Sequence, residues 1–96
     1  MIRKLVAVLA LTLSAGTIQA QAAPITVFVV RHAEKGPEAT NPPLTPEGRQ
    51  RAIALARVLG DSKISAVFAS EFKRAQETVD PLAIATGLTT IVMCSL

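Results

Sequence analysis

"TVFVVRHAEKG", from Thr26 to Gly36, is the stretch on which the reading of this chain turns. Its first five residues are all β-branched or aromatic, the types that suit a pleated, buried strand. With Ile25 added, Ile25–Val30 reads as a short apolar strand of the kind found inside a parallel sheet. The chain then turns charged at Arg31-His32, and His32 is the sole histidine in 96 residues. A lone imidazole at the end of a buried strand, directly after a guanidinium, stands where α/β folds present ligands.

Outward from this stretch the punctuation is regular. Ala33 to Leu44 reads as a loop, since it holds Gly36, Pro37, Asn41, Pro42 and Pro43. Thr45-Pro46 predicts a helix start: threonine caps, and proline suits the first helical position because its missing N–H is not needed there. Ala52, Leu55, Ala56 and Leu59 recur at helical spacing, and Gly60 is expected to close the helix as a left-handed cap. Ile64–Ala69 reads as a second strand, and Ser70 as the cap of a second helix from Glu71. Phe72, Ala75, Val79, Leu82 and Ala83 form the apolar face of that helix. Pro81 is expected to kink or split it, and Gly87 to close it. Thr89–Met93 reads as a third strand. The order β-α-β-α-β implies an α/β fold with parallel strands, right-handed crossovers and helices covering the sheet, a partial three-layer αβα arrangement.

The beginning of the chain reads differently. Arg3 and Lys4 precede an apolar run from Leu5 to Leu13, small residues follow, and Ala20-Gln21-Ala22 offers an A-x-A cleavage site. This is the layout of a secretory signal peptide, placing residues 1–22 outside the folded domain and the protein in a secreted or periplasmic location. The apolar run falls well short of the roughly 20 residues that span a bilayer, so no stable membrane anchor is expected after cleavage. The formal charge of +3 falls by two without Arg3 and Lys4. With so little charge left and aromatic residues at 3%, no nucleic-acid partner is expected. Cys94 is the only cysteine, so the folded portion has no internal disulfide and relies on burial, which is marginal at this size.

The chemistry concentrates at two points beyond the carboxyl ends of strands: Arg31-His32 after the first, and Ser70 through Arg74 after the second. Guanidinium groups bind phosphate through paired, planar hydrogen bonds. Neighbouring positive charge disfavours imidazolium, leaving His32 a neutral nucleophile toward a phosphoryl group held by Arg31 and Arg74. The same arginines, with a helix N-terminus behind them, would stabilise charge on the transferring oxygens. Other residues have plainer readings. Glu34 and Lys35 are solvated loop charges, with Glu34 available to steady an arginine. Arg49, Arg51 and Arg57 form a wet helix face. Thr45 and Ser70 are caps. No ligand cluster for zinc surrounds His32.

Three segments together resemble the histidine phosphatase superfamily, also called the phosphoglycerate mutase-like clan. Arg31-His32-Ala33-Glu34 resembles its "RHG" signature, Leu44-Thr45-Pro46-Glu47-Gly48 its "LTxxG" helix start, and Ser70 through Thr78 its "SxxxRAxxT" segment. They occur in family order across nearly all of residues 23–96. The resemblance implies transfer of phosphate from a phosphomonoester to His32 and release by water, with Arg31 and Arg74 binding the phosphate and no metal or organic cofactor. The partner so implied is a phosphorylated small molecule or phosphoprotein. The sequence names neither substrate nor oligomeric state, and does not separate phosphatase from mutase.

Departures from the pattern are specific. Ala33 replaces the usual glycine, as in relatives with an "RHAEK" stretch. The family's second histidine, in a later "GH" motif, has no counterpart, and no Asp or Glu follows Asp80 to serve as proton donor. Met93-Cys94-Ser95-Leu96 does not resemble a family continuation. The chain is therefore expected to be the N-terminal portion of a histidine phosphatase domain with its C-terminal half missing, through truncation or frameshift, and impaired in turnover. The rival expectation is a non-catalytic phosphate-binding remnant or an unstable fragment.

Overall fold

A computed structural model describes residues 23–94 of the chain. The expected signal peptide at residues 1–22 lies outside the described residues. Four elements follow in order: α1 (Pro46–Leu59), β1 (Phe68–Ser70), α2 (Lys73–Thr86) and β2 (Ile91–Met93).

Helix α1 begins as its sequence dictates. Thr45 keeps extended backbone (φ −71°, ψ 167°), its Oγ1 accepts the Gly48 N–H at 3.1 Å, and Pro46 occupies the first helical position. Glu47 in the first turn and Arg57 in the last both favour the helix dipole. Of the apolar stripe, Ala52 and Leu59 are buried and Leu55 and Ala56 half-buried. Gly60 departs from expectation: its backbone is right-handed (φ −58°, ψ −32°), so the chain leaves the helix without a left-handed cap.

Helix α2 departs from expectation at its start. It begins at Lys73, and the residue in the cap position, Phe72, makes no side-chain cap bond. Asn41, reaching across from the loop before α1, accepts the Lys73 N–H through Oδ1 at 3.0 Å. A cap from 32 residues away in sequence replaces the expected local one at Ser70. Pro81 does not split the helix, which runs on to Thr86. Gly87 closes it in the left-handed conformation (φ 72°), donating to the Ala83 and Ile84 carbonyls, as its sequence predicts.

β1 and β2 pair in parallel, with Phe68 opposite Ile91, Ala69 opposite Val92 and Ser70 opposite Met93. The Ile91 N–H extends the ladder to the Val67 carbonyl at 2.8 Å. Parallel neighbours require a long crossover, and α2 supplies it. The loop before α1 is more ordered than its glycine and prolines suggest. Lys35 and Leu44 form an antiparallel bridge, the Gly36 N–H reaches the Pro43 carbonyl at 2.8 Å, and the Thr45 N–H reaches the Glu34 carbonyl at 2.8 Å. Beneath this closed loop Ala33, Leu44 and Ala52 form a buried cluster, with Ala52 only 1% exposed.

The main correction concerns residues 25–30. Among the described residues the sheet has two strands, and this segment is not one of them. It forms one wall of a cleft of about 600 Å³, faced by residues 62–68 and bordered by Leu55, Leu59, Val79 and Leu82. Residues with high strand preference become a strand only when a hydrogen-bonding edge lies about 4.8 Å away. Here the cleft separates the segment from residues 62–68, no ladder pairs it, and Val29 is left 92% exposed.

Candidate functional site

The loop bridge, the Ala33–Leu44–Ala52 cluster and helix α2 together place His32. Its ring is half-buried, and Nδ1 lies 2.8 Å from the Ala33 carbonyl oxygen. A carbonyl only accepts, so Nδ1 is the donor, and in the uncharged form of the ring Nε2 bears the free lone pair. His32 lines a cavity of about 180 Å³ with Val30, Ser70, Ala75 and Thr78. The end of β1 and the first turns of α2 therefore meet the histidine at this cavity.

Arg74 lies in the first turn of α2, half-buried, with its guanidinium carbon 4.4 Å from the centre of the Phe72 ring. At that range the positive head is attracted to the ring face, which limits where the side chain can go. Arg31 is exposed. Neither arginine is among the residues lining the His32 cavity. The structure thus brings together His32, Ser70 and Thr78 at one cavity, and it does not bring the Arg31 and Arg74 side chains to line it.

Several polar side chains that sequence reasoning left without a task hold this arrangement. Thr78 is 4% exposed, accepts the Ala33 N–H at 2.9 Å and donates to the Arg74 carbonyl at 2.6 Å. Glu77 accepts the Leu44 N–H through Oε1 at 2.9 Å. Consecutive residues of α2 therefore hold the two ends of the loop. The only sequence sign was their place in the Ser70–Thr78 segment. Glu34 does steady an arginine: Arg51 grips its carboxylate with Nη2 at 2.7 Å and Nε at 3.1 Å. Its own backbone N–H, then Arg51, hold the Glu34 carboxyl below its ordinary value. The first N–H of α2 is occupied by Asn41 and is not directed at the cavity. Among the described residues no group of three or more His, Cys, Asp or Glu could hold a metal ion, and no helix is long and apolar enough to cross a membrane.

Residues 27–96 match the family model of the histidine phosphatase superfamily (branch 1). The chain belongs to that superfamily.

Solved structures agree with this assignment. The native mycobacterial glucosyl-3-phosphoglycerate phosphatase superposes with a TM-score of 0.59 at 28% identity, over 65% of this chain and 32% of that one. The same enzyme in complex with inorganic phosphate gives 0.59 at 30% identity, over 65% and 31%. A structure described as mycobacterial hydrolase 2 gives 0.60 at 28%, over 65% and 30%. The chain thus spans about a third of the length of each of these structures. A comparison with curated protein sequences finds no significant match. As a histidine phosphatase superfamily member, the chain carries the superfamily's "RHG"-like segment on the loop pinned by α2, and its α/β architecture is that of part of the superfamily domain.

Proposed function

We propose that this chain is an exported phosphatase that takes phosphate from a phosphomonoester, a phosphorylated small molecule or phosphoprotein, onto His32. The observation that carries the reading is the ring's orientation. Nδ1 is engaged with the Ala33 carbonyl, which leaves Nε2 as the nucleophilic atom beside the Ser70 end of β1. Nε2 attacks phosphorus, forming a P–N bond as the P–O bond to the leaving group breaks. Water then attacks the phosphohistidine, the P–N bond breaks, and inorganic phosphate leaves. Arg31 and Arg74 bind the phosphoryl oxygens and offset their charge during both steps. Similarity to phosphatases, one of them solved with inorganic phosphate, supports the phosphoryl substrate. Export rests on residues 1–22, whose charged, apolar and small-residue segments follow the order of a secretory signal.

The leaving oxygen needs a proton, and a general acid that supplies it is worth a factor of roughly 10² to 10⁴ in rate. The test is incubation with acetyl phosphate or p-nitrophenyl phosphate, followed by mass spectrometry under alkaline conditions. Acid-labile phosphate on His32, absent in His32→Ala, with release of inorganic phosphate, is expected. Phosphate binding by titration without any phosphohistidine would leave the phosphate-binding remnant as the correct reading.

A further inference from the structure

Thr78 is the one buried polar side chain among the described residues. Its hydroxyl has one proton, and that proton goes to the Arg74 carbonyl one turn back, at 2.6 Å. Toward the Ala33 N–H, 2.9 Å away, the oxygen can therefore only accept. The Ala33–Thr78 bond joins residues 45 apart in sequence and, with the Thr78–Arg74 bond, links the backbone of α2 to the residue that follows His32.

Ala33 is held on every side. Its N–H is bound to Thr78, its methyl group is buried against Leu44 and Ala52, and the next carbonyl, of Glu34, takes both the N–H and the hydroxyl of Thr45. The peptide group between Ala33 and Glu34 thus lies between two anchors. Its carbonyl oxygen is the one that Nδ1 of His32 meets. The linkage runs by hydrogen bonds from the Arg74 carbonyl through the Thr78 hydroxyl to the Ala33 N–H, and through the covalent backbone of Ala33 to the carbonyl that faces the imidazole. Which ring nitrogen carries the proton is set by the partner the other nitrogen lacks or has. Fixing the Ala33 carbonyl fixes the proton on Nδ1.

We propose that Thr78 is a positioning residue that sets the tautomer of His32, keeping Nε2 unprotonated by pinning Ala33 to helix α2. Its value to catalysis rests on the phosphatase reading; its effect on the ring does not. Free neutral imidazole side chains favour the proton on Nε2, so loss of the anchor returns the ring toward that form.

Because the chain holds a single histidine, ring ¹⁵N NMR of the full chain reports His32 without ambiguity. Above the imidazole's titration range the wild type is expected to show Nδ1 protonated and Nε2 bare as the major form. Thr78→Val and Thr78→Ala should make the Nε2-protonated form the major one, and Thr78→Ser should restore the wild-type pattern. Thr86→Val removes the same kind of intrahelical hydroxyl bond, to the Leu82 carbonyl at 2.7 Å, and should leave the ring unchanged. A wild-type ring mainly protonated on Nε2 overturns the proposal, whether or not any variant folds. So does a folded Thr78→Ala whose ring keeps the wild-type pattern. The measurement needs no turnover, so absence of phosphohistidine with a Thr78-dependent tautomer rejects the phosphatase reading alone.

Discussion

Gly48, in the first turn of α1, lies so close to the backbone of Glu34 that a Cβ placed on it would overlap the Glu34 carbonyl oxygen and sit 3.1 Å from the Glu34 nitrogen. The motif glycine is thus a matter of clearance. Its backbone is ordinary helix, but the loop that carries His32 crosses directly over it. Any side chain there pushes the helix away from the Thr45 and Glu34 bonds that close the loop.

Gly48→Ala should therefore destabilise the protein by about 1 to 3 kcal/mol, the usual cost of forcing atoms into a closed contact, despite alanine's better helix propensity. Thermal unfolding followed by circular dichroism measures this. A rise in Tm would show that the helix gains more from alanine than the contact loses.

Asn41 caps α2 from outside it, and its own backbone is left-handed (φ 45°), a conformation asparagine tolerates better than most residues. Asn41→Ala removes the cap and retains the strain. Loss of about 1 kcal/mol is expected from the cap alone, with Asn41→Asp retaining most of the stability because a carboxylate accepts the same N–H. Urea unfolding of the three proteins tests the order.

Glu34 gives the fold an acid-side dependence. Its folded-state pKa lies below the ordinary value of 4.5, so its contribution is present above 4.5 and fades as pH falls through the lowered folded value. Arg51→Ala should raise the Glu34 pKa only part of the way to 4.5, since the larger cause, its own backbone N–H, remains. Carboxyl ¹³C titration reads the shift directly. A return all the way to 4.5 would make Arg51 the dominant cause instead.

Hydrogen exchange should divide the two segments that sequence alone ranks as equal strands. The Ile91 amide, bonded to the Val67 carbonyl, should be protected, while amides of residues 25–30 exchange close to the unprotected rate. Protection of residues 25–30 equal to that of Ile91 would mean that the segment is paired in solution.

The amino-acid sequence by itself determined whatever depends on neighbours along the chain. Thr45 and Pro46 start a helix because cap and first-turn chemistry is local, and Gly87 ends one because it alone adopts φ 72° without cost. The helix-strand-helix-strand order from Pro46 to Met93, the three motif segments and the candidacy of His32 with Arg31 and Arg74 were legible on the same footing. Tertiary structure decided what depends on a partner elsewhere. Ile25 to Val30 has every local preference for a strand, but a strand is a pairing, and here the segment lies across a cleft from residues 62–68 without one. The cap of α2 comes from Asn41, the clearance of Gly48 from Glu34, and the anchor of Ala33 from Thr78. Each joins residues separated by a loop or a helix, and only the folded packing brings such residues within hydrogen-bond or contact distance.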